Sequence, residues 1–357
     1  MKTARRLSVS GSPKARDPSD ARPGISPVDI ADHNSRTTLG LLRRFGPLTR
    51  QELSRRLGLT EPAIAGIVQR LANAGLVAGR KRASTTRYAA LEFALCPDAA
   101  FSLGISIAPE GGEIILIDLS CAIRTRIRFT DAEEIGEAIE SIRPMASGKL
   151  VGCGVALAPG AVIDRPTLEG SIGEGVGPLY MLDDSEAAIG AERALGIGDP
   201  EGGLVTILID DTVRAGLLIG GRPFRGIHGL AGQIGDMRSG VDGATLNEVA
   251  TLPSLERQMA AGHASADAWI TVAARHLHEA VLAISGFIAP GAILIGGSLP
   301  DDILAGVLSS MARERDEKIR DLVIAPWIPL VRPATHPRDG VVLGAALRPF
   351  NETLFPA

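Results

Sequence analysis

The sequence predicts a mixed α/β chain in two parts: an N-terminal winged helix-turn-helix and a larger body of two α/β lobes. Three observations predict it. Residues 1–90 carry 17 Lys and Arg against 6 Asp and Glu, so the net charge of −4 conceals a basic head on an acidic body. Within the head, two capped helical stretches are joined by a short turn and followed by β-prone segments around a basic tip. Within the body, a run of strands followed by helices occurs twice, as in a duplicated unit with a cleft between its halves.

The class is that of a soluble globular protein: 357 residues, 45 % hydrophobic and 22 % charged. Aromatic residues make up only 3 %, so aliphatic side chains and alanine must fill the core. No apolar run approaches the roughly 20 residues needed to span a bilayer. The opening stretch, "MKTARRLSVSGSPKARDPSDARPG", is basic and rich in Ser and Pro, with no apolar segment behind it. It reads as a disordered basic tail over residues 1–30 and not as a secretory signal. Cys96, Cys121 and Cys153 are odd in number and form no CxxC pair, which suggests reduced thiols in a cytoplasmic protein and excludes a cysteine zinc site.

The head is expected over residues 31–97. "HNSRTTLGLLRRF" spaces Leu39, Leu42 and Phe45 for a helix that "GP" stops. Thr49, with Glu52 three residues on, is a capping box for the next helix, and Gly58 is its stop. Thr60 caps the third, with Pro62 in its first turn and Ile64, Ile67, Val68 and Leu71 forming one apolar stripe. "VAGRKRASTTRYAALEF" then reads as a wing with a basic tip. The second helix of such a pair enters the major groove of duplex DNA, so Thr60, Glu61, Ala63 and Gln69 are candidates for facing the groove, solvent exposure being the other reading, and Arg70 is a further DNA-binding candidate. Arg50, at the start of the helix before it, is a candidate for phosphate contact or for reaching a groove, and Arg80, Lys81, Arg82 and Arg87 in the wing are candidates for phosphate contact.

The body divides into a first lobe (98–200), a second lobe (201–340) and a C-terminal helix (341–357) expected to pack back on the first lobe. "FSLGISIA", "EIILIDLS" and "AIRTRIRF" read as strands, "AEEIGEAIESIRPMA" as a helix, "LVGCGVAL" as a strand and "SEAAIGAERALG" as a helix. "LVTILID", "AGLLIGG" and "RPFRG" repeat the three-strand opening. Helices at 245–260 and 266–288, the strand "AILIGGSL" and the helix "GVVLGAALRPF" complete the chain.

Taken in order, "LTRQELSRRLGLTEPAIAGIVQRLANAGLV", "GVALAPGAVID", "DDSEAAIGAE", "GIHGLAGQIGDM", "LNEVAT", "ILIGGSL" and "LGAAL" resemble the landmarks of the ROK family of repressors, open-reading-frame proteins and sugar kinases. The regulator branch is the better match, over residues 33–350. The resemblance implies an actin-like (ribonuclease H-like, sugar-kinase-like) body. It also brings expectations about the cleft. Where family kinases carry an acidic ATP loop, this chain has "SIAPE", with Ser106 at the acidic position. Their second phosphate loop, Gly-Thr-Gly-Ile-Gly, falls on Asp210, Asp211, Thr212, Val213 and Arg214. Two carboxylates would repel a triphosphate, side chains would block the backbone's approach, and Arg214 would offset only part of the repulsion. ATP is not expected as a cofactor.

The family's Asn-Asp pair becomes Asp183-Asp184, with Asp184 at the position of the catalytic base. Its Glu-x-Gly-His becomes Gln233-Ile234-Gly235-Asp236, and a further Glu becomes Asn247. All five positions remain hydrogen-bonding, so a sugar or other polar small molecule stays one reading of the cleft. A vestigial pocket of solvated or mutually paired side chains is the other. The family's zinc ligands are replaced by Asp236 and "MRSGVDGATLNEVA", and the nearby His228 reads as a loop residue, so no metal is expected. The expectation is a non-enzymatic, sequence-specific DNA-binding repressor, dimeric or tetrameric, with no membrane partner. Its alternatives are a sugar kinase with an appended DNA-binding head, in which Asp184 would be the base, and a DNA-binding scaffold without an effector.

Overall fold

The computed structural model describes residues 27–81, 90–238, 242–260, 265–321 and 328–356. Most of the expected tail, together with Arg82 and Arg87, lies outside them.

In the head, helix α1 (Pro27–Phe45) begins ahead of the His33 start that the apolar spacing suggests, with a proline in the first-turn position where its missing N–H is harmless. Strand β1 (Leu48–Thr49) leads into α2 (Arg50–Leu57) through the expected capping box. The Thr49 hydroxyl accepts from the Glu52 N–H at 3.2 Å, and the Glu52 carboxylate accepts from the Thr49 N–H at 2.8 Å. Gly58 ends α2 at φ 66°, a left-handed conformation suited to glycine. Thr60 caps α3 (Glu61–Asn73), which buries Ile64, Ile67, Val68 and Leu71. Strands β2 (Val77–Lys81) and β3 (Leu91–Leu95) then form the antiparallel wing, and β1 joins them in the order β1-β3-β2.

One short 3-10 turn, Pro97–Ala99, separates β3 from the body. The first lobe comprises β4 (Ala100–Ala108), β5 (Gly111–Asp118), β6 (Ile123–Phe129), α4 (Ile135–Ile142), β7 (Lys149–Leu157), α5 (Arg165–Ile172), β8 (Leu179–Asp183) and α6 (Asp184–Leu195). The second comprises β9 (Leu204–Ile209), β10 (Val213–Ile219), β11 (Arg222–Pro223), α7 (Leu246–Val249), α8 (Leu252–Ala260), α9 (Ala266–Ile288), β12 (Ala292–Gly297), α10 (Asp301–Asp321) and β13 (Val331–Pro333). The sheet orders, β6-β5-β4-β7-β8 and β11-β10-β9-β12-β13, are the same arrangement used twice. In each, an antiparallel meander of three strands is extended by parallel pairing of the fourth and fifth.

The stretch 245–260 is two helices and not one. Thr251 and Ser254 cap each other's backbone N–H groups at 3.3 and 3.1 Å, and Pro253 sits in the first turn of α8, so the chain restarts there.

The last helix, α11 (Gly340–Thr353), packs on β4 and β7 of the first sheet and along α6. The two helices touch backbone to backbone: a Cβ on Gly344 would lie 1.7 Å from the Ala187 carbonyl oxygen, so only glycine fits. Head and body share one apolar core, in which Leu39, Leu42 and Leu71 cluster with Ile115, Leu347, Phe350 and Phe355. Arg36 of α1 fastens this junction by donating to the carbonyls of Phe355 and Asn351 at 2.7 and 2.6 Å.

Candidate DNA-binding face and interlobe cleft

Helix α3 has one face in the core and the other in solvent. Glu61, Ala63, Gly66, Gln69 and Arg70 are exposed, a consequence of burying positions spaced three and four apart. Several candidate contacts already have intramolecular roles. Thr60 caps α3 by accepting from the Ala63 N–H at 3.4 Å. Gln69 donates to Asn73 at 2.9 Å. Arg50 lies with its guanidinium 5.4 Å from the centre of the Phe93 ring. In the wing, Arg80 pairs with Glu92 at 2.8 Å, across the strand register that places the two opposite each other. Lys81 is exposed beside it.

The interlobe cleft, about 210 Å³, lies between the end of β7 (Leu157, Pro159), the start of α6 (Asp183, Ser185), Arg214 of β10 and the loop around Gln233. The hairpin at Asp210–Arg214 is well formed: β9 and β10 pair with Ile209 opposite Val213, and the Asp210 N–H closes the turn on the Thr212 carbonyl at 3.2 Å. Its polar groups are engaged elsewhere. The Val213 N–H donates to the Asn247 side-chain oxygen at 2.9 Å, and Asp210 accepts from the Ser298 hydroxyl at 2.6 Å.

Arg214 goes beyond the sequence expectation. Besides offsetting part of the charge of Asp210, its guanidinium makes a two-pronged ion pair with Asp184. Both groups are largely buried, so an unpaired carboxylate there would be costly. Burial raises the pKa of Asp184, and hydrogen bonding to Arg214 opposes that rise. Asp210 is raised too, again chiefly by burial.

The five polar positions named from the sequence do not act as a set. Asp183 is exposed at the cleft, where it starts α6 without a capping hydrogen bond from its side chain. Gln233 is exposed in the cleft wall. Asn247 bridges Val213 and Asp236, donating to the latter at 3.0 Å. Asp184 is held by Arg214. Sequence reasoning missed a second bidentate pair beside them: Arg225 donates to buried Glu186 at 2.6 and 2.8 Å. Neither residue has a local signal, since the partners are 39 positions apart and meet only when β11 folds over α6.

Among the described residues no group of three or more His, Cys, Asp or Glu is placed to hold a metal ion. Nor is any described helix long and apolar enough to cross a membrane.

Comparison with known proteins bears on the fold. The MarR family model matches residues 34–87. An uncharacterized protein, y4fQ of Sinorhizobium fredii, is 26 % identical over 340 residues, covering 82 % of this chain and 85 % of that protein. A solved ROK family transcriptional regulator, a homologue of the E. coli MLC protein, superposes with a TM-score of 0.65 at 18 % identity, over 90 % of this chain and 99 % of that one. The ROK hexokinase of Thermus thermophilus matches with a TM-score of 0.52 at 19 % identity, over 71 % and 98 %. A ROK glucokinase from Streptomyces griseus, solved with glucose and AMPPNP, matches with a TM-score of 0.52 at 19 %, over 69 % and 98 %. The chain is thus a MarR-type winged helix joined to an actin-like, sugar-kinase-like body. In fold it matches the solved regulator over head and body together, while the kinases cover a smaller share of this chain.

Proposed function

We propose that the protein is a sequence-specific DNA-binding transcriptional regulator, a repressor, whose body assembles the chain into a dimer or tetramer and no longer phosphorylates a sugar. The observation that carries the reading is the Arg214–Asp184 ion pair beneath a winged-helix head. A guanidinium from the 210–214 hairpin occupies the carboxylate that would serve as base. The hairpin's Val213 N–H, spent on Asn247, is one fewer donor for a phosphate. The outward face of α3 beside a basic wing supports duplex DNA as the partner.

With Asp184 engaged, a sugar or other polar effector would meet Asp183, Ser185 and Gln233. A shift of the lobes would then alter the spacing of paired heads on half-sites about 10 or 20 bp apart, centre to centre. The proposed setting is the cytoplasm.

Genome-wide mapping of bound DNA, followed by mobility shifts on the recovered fragments, tests the regulator. Indifference to every fragment at low salt would overturn it. A coupled ATP-turnover assay over hexoses and amino sugars tests the kinase alternative; turnover abolished by Asp184→Asn would establish that instead. Thermal-shift screening with sugars separates a sensor from a scaffold: a saturable rise in melting temperature lost in Asp183→Ala marks a sensor.

A further inference from the structure

We propose that helix α6 is a strut that carries the state of the cleft to the DNA-binding head, with Arg43 as the contact on the head side. The inference deepens the regulator reading and rests on it for its purpose, though not for its test.

The first turn of α6 belongs to the cleft. Asp183 and Ser185 line it, while Asp184 and Glu186 are tied to the second lobe by Arg214 and Arg225. The last turn belongs to the head. The Ala194 carbonyl accepts from Arg43 Nη2 of α1 at 3.3 Å, and Ala191 is buried in the same cluster as Leu39 and Leu42. The helix between has little freedom to absorb a displacement. On one side its Ala187 carbonyl abuts Gly344 of α11; on the other its Ser185 carbonyl would lie 2.2 Å from a Cβ on Gly216 of β10. A helix of 12 residues, roughly 18 Å long and gripped on both flanks, moves as a unit.

The contact at its far end is one long hydrogen bond. The Arg43 guanidinium is buried and stacks on the Phe355 ring at 4.1 Å, beside Cys121. Its Nε and Nη1 have no hydrogen-bond partner among the described residues, and Ala194 accepts from Nη2 at the long end of the normal range. Arg36 and the shared apolar core hold α1 to α11 and the first sheet, so the Arg43–Ala194 bond is the polar tie between α1 and α6. A shift of the α6 C-terminus would move that acceptor and displace the end of α1 with it.

Hydrogen–deuterium exchange on the full-length chain tests this without DNA or ligand, so its failure is distinct from failure of the regulator reading. Asp184→Asn and Arg214→Met loosen the cleft end. The expected result is exchange at residues 191–195 and at 39–45 of α1 accelerated about threefold or more beyond any change at the second-lobe core, 273–285. In an Arg43→Met background the α1 amides should stop responding. Acceleration confined to 183–189, equal acceleration at 273–285, or an α1 response that persists without Arg43 would each overturn the proposal. Should both cleft variants fail to fold, Arg43→Met alone decides: coupling is reciprocal, so the exchange of 183–189 must change.

Discussion

Glu192, one turn from the end of α6, accepts from both the backbone N–H and the hydroxyl of Thr335, at 2.6 and 2.9 Å, and so fastens a first-lobe helix to the loop that follows the last strand of the second lobe. The carboxylate is buried and reaches the His336 N–H as well, at 3.4 Å. Glu192→Ala should therefore lower stability by about 2–3 kcal/mol, because buried donors lose their acceptor. Glu192→Gln keeps one oxygen and should lose about 1 kcal/mol. Urea unfolding midpoints measure both; equal stability in all three proteins would contradict the assignment.

The ion pair in the cleft should give a pH signature. Removing one partner of a buried pair costs about 3–5 kcal/mol, so Arg214→Met should be markedly destabilised near neutral pH. Asp184 already has a raised pKa, and losing Arg214 removes the interactions that restrain the rise. An acid whose folded pKa exceeds its unfolded value contributes stability at low pH that is lost as pH rises through the folded pKa. The deficit of Arg214→Met should thus shrink as pH is lowered from neutral, and adding Asp184→Asn should largely abolish that dependence. A deficit that is flat with pH would place the cost elsewhere.

Two glycines in the packed helices α6 and α11 should respond oppositely to alanine. At Gly344 the new methyl meets the Ala187 carbonyl, and the helices must separate, which should cost about 3 kcal/mol or more. At Gly190, within α6, a Cβ meets nothing within 4 Å, and Gly190→Ala should add about 0.5–1 kcal/mol through helix propensity. Thermal unfolding of the two variants distinguishes them by sign.

Wing contacts should differ in value. Lys81 is exposed at the wing, whereas Arg80 is shared with Glu92. Lys81→Ala should weaken binding to all DNA sequences and flatten the log–log salt dependence by about one unit of slope. Arg80→Ala should flatten it less, because part of that charge is already neutralised. Fluorescence anisotropy over a salt series reads both slopes.

What could be read from the sequence was local. The capping box at Thr49, the left-handed stop at Gly58 and the stripe on α3 each depend on residues within four positions of one another. The duplicated strand order was legible because apolar runs repeat. What lay beyond reach depended on distance along the chain. Nothing near Arg214 announces a partner 30 positions upstream, and nothing in "RPFRG" points to Glu186. The short strand β8 and the charged helix α10 went unread for another reason: five residues after a Gly-Pro pair, and 21 residues of low hydrophobicity, offer weak periodicity.

The meeting of α1 with the segment beyond α11 bears on how such proteins are taken apart and recombined. Phe355 is fully buried, 319 positions from the arginine that grips its carbonyl, so the reading module does not end where its wing ends. A chimera that grafts this head onto another scaffold has to bring along the matching tail, or it inherits a loose joint. A purification handle spliced in just after Asn351 would loosen the same joint from the other side.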